Sequence, residues 1–554
     1  MQTPRHADLV FTGGPVLTPD SAPGPDGAPA TAVAVTGGRI SAVGDPHHVH
    51  ELIGPRTEVV DLGGRLLLPG FQDAHVHPVP AGLESARCDL TAADTAADTL
   101  AAVRAYAAAH PDREWITGGG WAMEAFDGGT PTKDLLDPVV PDRPVYLPNR
   151  DHHGAWVNSR ALALAGITRD TPDPSDGRIE RDAAGEPTGM LQEGAMELVG
   201  RLTPPSTAAE RLAALLHAQR TLHALGVTAW QDALLGGFLG MDDPSDAYQT
   251  AARDGTLTAR VVGALWWDRE RGAEQIPELV ARRAALGHGR FRAGTVKIML
   301  DGVAENGTAA LLAPYLDRCG CATANSGTSF IDRDRLPGYV TALDALGFQT
   351  HFHALGDRAV RDALDAVEAA RAANGPRDTR PHLAHLQVVH PDDVPRFARL
   401  GATATVQPLW AAHEPQMDDL TIPFLGPERT ARQYPFAALL HAGATLAAGS
   451  DWPVSSPDPL QGVHVAVNRV LPGGSGPVFL PGQRIGLTAA LTAYTAGSAY
   501  VNHLDGTGSV RTGALADLVV LDRDPYAGPP EAIGATRVAL TYVEGERVHA
   551  ADDA

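Results

Sequence analysis

Eight short apolar segments, separated for the most part by alanine- and leucine-rich stretches of helical character, constrain this chain more than any other feature. They read LLLPGFQDAHVH (66–77), GVTAWQDAL (226–234), RVVGALWW (260–267), TVKIMLDG (295–302), FQTHFHALG (348–356), RPHLAHLQ (380–387), ATATVQPL (402–409) and TLAAGSDWPV (445–454). Strands alternating with helices predict an α/β protein, and eight of them predict a (β/α)8 TIM barrel, although a doubly wound sheet gives a similar alternation. In a barrel the chemistry sits where the strands end.

Several of these segments end in residues that bind metals. Residues i and i+2 of a strand point to one side, so His75 and His77 present two imidazoles to one point. Taken alone, a His-x-His pair in a chain with 22 histidines is more often incidental than ligating. Later strand ends supply further candidates in His353, His385 and Asp451, with His351 and His382 as close competitors that periodicity does not separate.

Lys297 is the remaining candidate. It is one of only two lysines, with Lys133, among 44 basic residues, and it lies in the middle of an apolar strand. Burying an ammonium is costly. A chain that uses arginine for ordinary positive charge has reason to keep lysine where a reactive amine is wanted, because a buried lysine can lose its proton and combine with carbon dioxide as a bridging carbamate. The plainer reading pairs its ammonium with Asp301.

DAHVH, a strand lysine, HFHALGDRAV, HLAHLQVVHPDD and GSDWPV together resemble the metal-dependent amidohydrolase superfamily, and within it the amidohydrolase 3 group that includes N-substituted formamide deformylase-like enzymes. The resemblance spans nearly the whole chain. It implies that His75, His77 and Asp451 bind a first metal, that carboxylated Lys297 bridges, and that His353 and His385 bind a second. It also selects His353 over His351 through HALGD, and His385 over His382 through the following glutamine-bearing motif.

Other properties bound the reading. The chain's 554 residues are enough for two or three structural units. A net charge of -22 argues against nucleic acid or an anionic membrane surface as a partner. No run of about 18 apolar residues appears, and MQTPRHADLV lacks the character of a signal peptide, so a cytoplasmic location is expected. Cys88, Cys319 and Cys321 cannot build a disulfide framework and read as structural or incidental thiols. A homodimer is compatible with the sequence, but no motif argues for it.

About 150 residues separate His77 from the second strand, far more than a crossover needs. An inserted subdomain over 81–205 is expected to roof the active site, within a barrel spanning 69–503. Trp121 and His153 are placed there as substrate contacts, with Trp452 beside them. A capping or surface role for His153 weighs about equally, and the resemblance to an HxxxxNS pattern moves it towards substrate. Tryptophan is as often core as contact, which applies to Trp121, Trp156, Trp410 and Trp452 alike. The two ends, 1–68 and 504–554, alternate apolar residues with Gly-Gly turns and are expected to form one discontinuous β-sandwich. Residues 19–30 read as a mobile loop.

The expected chemistry is hydrolysis of a non-peptide carbon–nitrogen bond by metal-activated hydroxide, with an N-substituted formamide, an acylated amine or a cyclic amide as substrate. Asp451 is expected to act as base and then acid, and His153 to polarise the carbonyl. One or two divalent ions are expected, zinc first, with manganese, iron or cobalt open. A mononuclear deaminase is the nearest alternative, but it would lack a strand lysine and carry an acid glutamate. A catalytically silent barrel would have lost ligands.

Overall fold

The computed structural model of the chain describes residues 6–18 and 30–552, so most of the segment expected to be mobile lies outside the described residues. Its centre is a parallel sheet of eight strands in sequential order: β1 Phe71–Val76, β2 Val227–Leu235, β3 Arg260–Trp266, β4 Phe291–Met299, β5 Gln349–Ala354, β6 His382–His385, β7 Thr403–Val406 and β8 Leu446–Ala448. Helices on the outside, such as Asp357–Asn374, pack alanine, valine and leucine against it. The chain forms the (β/α)8 barrel that its alternation predicts. β4 begins earlier than the apolar pattern suggests, because Arg292 and Gly294 interrupt that pattern while the backbone already pairs with β3.

The barrel closes between its first and last strands. The Asp451 N–H donates to the His75 carbonyl at 2.8 Å and the His77 N–H to the Trp452 carbonyl at 2.9 Å. Asp73 clasps the seam from below: its carboxylate accepts from the Ser450 hydroxyl at 2.6 Å and from the Ser450 N–H at 3.1 Å. Gly449 is required at this crossing, since a Cβ there would lie 2.8 Å from the His75 backbone nitrogen. Burial pushes the Asp73 carboxyl up to about 7, against the hydrogen bonds it accepts.

Two four-stranded sheets flank the barrel. One holds Leu9–Thr12, Ala32–Thr36, Arg39–Gly44 and Glu58–Asp61; the other joins Leu67–Pro69 to Leu518–Leu521, Val538–Val543 and Glu546–Ala550. Phe11, Val33 and Val35 from the first meet Leu67, Val520 and Tyr542 from the second in one apolar core. Arg260 at the foot of β3 ties the barrel to this unit through Asp517 at 2.9 Å and Glu544 at 2.6 Å.

The long connection after β1 folds into its own six-stranded sheet, from Cys88–Asp89 at one edge to Gly177–Arg181 at the other. Asn158 braces it, accepting from the N–H groups of Val145 and Ala161 and donating to the carbonyls of Val140 and Arg143. Trp121 lies in the core of this sheet. It is fully buried against Phe126 and Trp156, and its indole N–H is spent on the Leu147 carbonyl at 2.8 Å. Trp121, expected as a substrate contact, lines neither cavity at the strand ends: an indole is a large apolar surface, and a subdomain of this size needs it for its own core.

Candidate metal centre and active site

Six side chains from five strand ends converge on one narrow cavity of about 70 Å³: His75, His77, Lys297, His353, His385 and Asp451. His75 and His77 owe their shared direction to the pleat of β1 and its continuation. Their Nε2 atoms each lie 3.1 Å from Asp451 Oδ1. Bonds of about 2.0–2.2 Å to one ion leave neighbouring ligand atoms at comparable separations. Asp451 Oδ2, the other oxygen, stands 4.0 Å from His385 Nδ1. The rings of His353 and His385 have centroids 4.5 Å apart, and His75 and His385 are 4.7 Å apart.

The polar atoms of this cluster fit a metal. Both ring nitrogens of His385 and the Nδ1 of His77 are buried without a hydrogen-bond partner among the described residues. Buried polar atoms are nearly always paired, and unpaired ring nitrogens among imidazoles gathered about one carboxylate fit a bound ion. Burial holds His75 down at about 3, with the Lys297 charge adding to the effect, and burial lowers His353 and His385 well below the usual histidine range. Neutral imidazole is the form that ligates. Burial alone would raise Asp451, but the imidazoles of His75, His77 and His385 around it hold it ionised.

Lys297 Nζ lies 3.3 Å from His75 Nε2, in the same cluster. It does not pair with Asp301, whose oxygens instead accept the N–H groups of Ala310, Leu355 and Gly356 at 2.8–3.0 Å. Burial brings the Lys297 amine down to about 7, which leaves a substantial neutral fraction at neutral pH.

The competitors His351 and His382 point to the barrel interior beneath the cluster. His351 Nε2 meets His75 Nδ1 at 2.8 Å, and its ring packs against His382, 3.9 Å between centroids with the planes tilted by 36°. His382 in turn contacts Thr405 and Gln231. The contact to His75 occupies its Nδ1 and leaves Nε2 for the cluster, the arrangement by which outer groups orient metal-binding histidines.

The inserted subdomain contributes His153, whose ring centroid lies 5.2 Å from that of His353. Sequence reasoning missed its partner, Glu193, which is fully buried and meets His153 Nδ1 at 2.9 and 3.0 Å. The Thr308 hydroxyl donates to the same carboxylate at 2.7 Å. Burial pulls His153 down, but Glu193, with Asp151 and Asp451 behind it, outweighs burial and raises it to about 9. Trp452 lies on the wall of a wider chamber that meets the cavity at Asp151, Pro453 and Val454. His385 at +81°, Asp451 at +56° and Glu193 at +50° all occupy positive φ, a strain that clusters at functional sites.

Comparison with known proteins agrees with this geometry. The chain is 33% identical over 553 residues to Protein LONG AFTER FAR-RED 3 of Arabidopsis thaliana, covering 98% of this chain and 92% of that one. It is 28% identical over 529 residues to the N-substituted formamide deformylase of Arthrobacter pascens, covering 93% and 94%. Among solved structures, an uncharacterised metal-dependent hydrolase from Pyrococcus furiosus superposes with a TM-score of 0.69 at 26% identity, over 93% of this chain and 99% of that one. The amidohydrolase family profile matches residues 58–549, from the strand Glu58–Asp61 into the last strand, Glu546–Ala550, and the chain belongs to that metal-dependent hydrolase family.

Proposed function

We propose that this hydrolase cleaves the carbon–nitrogen bond of an N-acylated amine, with an N-substituted formamide as the leading candidate. The observation that carries the reading is the pairing of an electron-donating floor, built from His75, His77, His353, His385, Asp451 and Lys297, with one protonated donor above it, His153. The relative that bears the formamide deformylase name supports the substrate class. A divalent ion on this floor would acidify a coordinated water from near 16 to about 7 and polarise a carbonyl. His75, His77 and Asp451 would hold one ion, His353 and His385 a second where two are bound, and a carboxylated Lys297 would add an oxygen ligand, with zinc as the expected metal.

Asp451 Oδ2, not shared by the two β1 histidines, takes the proton from water and returns it to the departing nitrogen. His153, fixed through Nδ1 by Glu193, turns its Nε2–H towards the carbonyl oxygen and stabilises the charge that develops there. One amide C–N bond breaks, water supplies the hydroxyl to the acyl carbon, and its proton ends on the amine. Residues 81–205 serve as the roof, and 1–68 with 504–554 as the flanking sandwich. The test is metal analysis of the purified protein followed by hydrolysis assays over formamides, other N-acyl amines and cyclic amides. Cleavage that chelation abolishes and zinc or manganese restores is expected; full activity in demonstrably metal-free protein would refute the reading.

A further inference from the structure

The narrow cavity opens into a second chamber of about 710 Å³, ten times its size. Its walls are of two kinds. Trp410, Trp452 and the buried ring of Tyr434 provide aromatic surface, and Trp410 lies parallel to the candidate ligand His385, 5.4 Å between centroids and 6° between planes. Asp151, Glu305 and Glu414 provide carboxyl groups, against the single guanidinium of Arg150. That guanidinium is already engaged by Glu124 at 3.4 Å. One oxygen of Asp151 is buried with no partner among the described residues, the other being taken by the His153 N–H at 2.9 Å. Asp151 also helps to keep His153 charged, but the proposed hydrolysis has no use for Glu305, Glu414 or the aromatic wall.

Aromatic faces beside unbalanced carboxylates are the environment in which organic cations bind, because the ring face and the anion attract the same charge. The volume suits a drug-sized substituent and far exceeds what a formyl or acetyl group requires. We propose that this chamber receives a positively charged N-substituent, an ammonium or quaternary ammonium group carried by the amine half of the substrate. The inference rests on the reading of the site as an N-acyl amine hydrolase, since that reading leaves the amine half pointing out of the narrow cavity. The carboxyl groups agree with it: burial, with Glu124 and Glu305 adding, pushes Glu414 up to about 7, and burial raises Glu305 and Asp151, so each is poised to gain from a neighbouring cation.

The test measures binding and is independent of turnover. Calorimetric titration of the metal-loaded full chain would use choline and its uncharged isostere 3,3-dimethylbutan-1-ol, neither of which brings an amine lone pair to a metal. Choline is expected to bind at least about tenfold tighter. That preference should fall to near unity in the Glu305→Gln, Glu414→Gln double variant, and by about threefold in Glu414→Gln alone, which serves if the double variant does not fold. Equal binding of the two probes, no binding of choline, or an undiminished preference in the variants would each overturn the proposal. Failure of hydrolysis with every amide would overturn the proposed reaction and leave this binding result standing, so the two are read separately.

Discussion

The floor and the roof of the site use the same residue to opposite ends. On the floor, His75, His353 and His385 share the one carboxylate of Asp451 with further imidazoles and the Lys297 amine, and burial outweighs it and keeps them neutral. On the roof, His153 is as enclosed, yet a buried glutamate grips its Nδ1 and holds it protonated. Depth does not distinguish them; the partner does. A crowded set of imidazoles becomes an array of lone pairs, whereas one imidazole facing Glu193 becomes a proton donor.

The largest way to break the floor is at Lys297. If its amine is carboxylated, Lys297→Ala should lose bound metal and with it detectable hydrolysis, and added acetate or propionate should restore part of both by filling the vacated space. Lys297→Arg should remain inactive, because guanidinium forms no carbamate. An active arginine variant would reduce the lysine to a buried charge.

Next comes Asp451→Asn, which keeps an oxygen on the floor and removes the proton acceptor. Turnover should fall by about 10²–10⁴-fold with some metal retained in elemental analysis. Near-normal turnover would move the base elsewhere.

On the roof, Glu193→Gln should lower kcat by about 10–100-fold with metal content unchanged, since it removes the group that orients and charges His153 without touching the floor. A variant that instead lost its metal would show that roof and floor are one structure and would erase the contrast.

The smallest effect is thermal. His153 in the folded chain lies above its unfolded value of about 6.5, near 9. The contribution of the pair is therefore fully present below pH 6.5 and lost as pH rises through about 9. The melting-temperature advantage of the parent over Glu193→Gln should be a few degrees at pH 6 and should shrink by pH 10. A gap that stayed constant with pH would show that the pair carries no net charge in the folded protein.

The contrast also marks what could be read in advance. The eight strands were legible because their apolar runs are local, and so were the six converging side chains, five of them near the end of such a run and Lys297 the one lysine within one. Glu193 was not, because its partner lies 40 residues away and the two meet only through the pairing of Gly154–Val157 with Pro187–Glu193. Its one signal was a lone acid in the apolar stretch MLQEGAM. His351 and His382 looked like alternatives to the ligands beside them, because alternation along a strand tells which residues share a side but not which side faces the strand end. Trp121 was placed by its position in the inserted segment, and only the six-stranded sheet around it reveals that it packs in the core of that segment.

The seam between β1 and β8 has a consequence for how the protein comes into being. Asp73 and Ser450, and likewise His75 and Asp451, are separated by more than 370 residues, so a chain emerging from the ribosome carries the imidazoles of His75 and His77 long before it carries the carboxylate they face. Until the last strand is delivered there is no shared oxygen and no closed cylinder. An ion captured early by His75 and His77 alone would be weakly held, and protein halted short of residue 446 should emerge metal-free. Metal loading would thus report that the last barrel strand has been made and the circle of strands has joined.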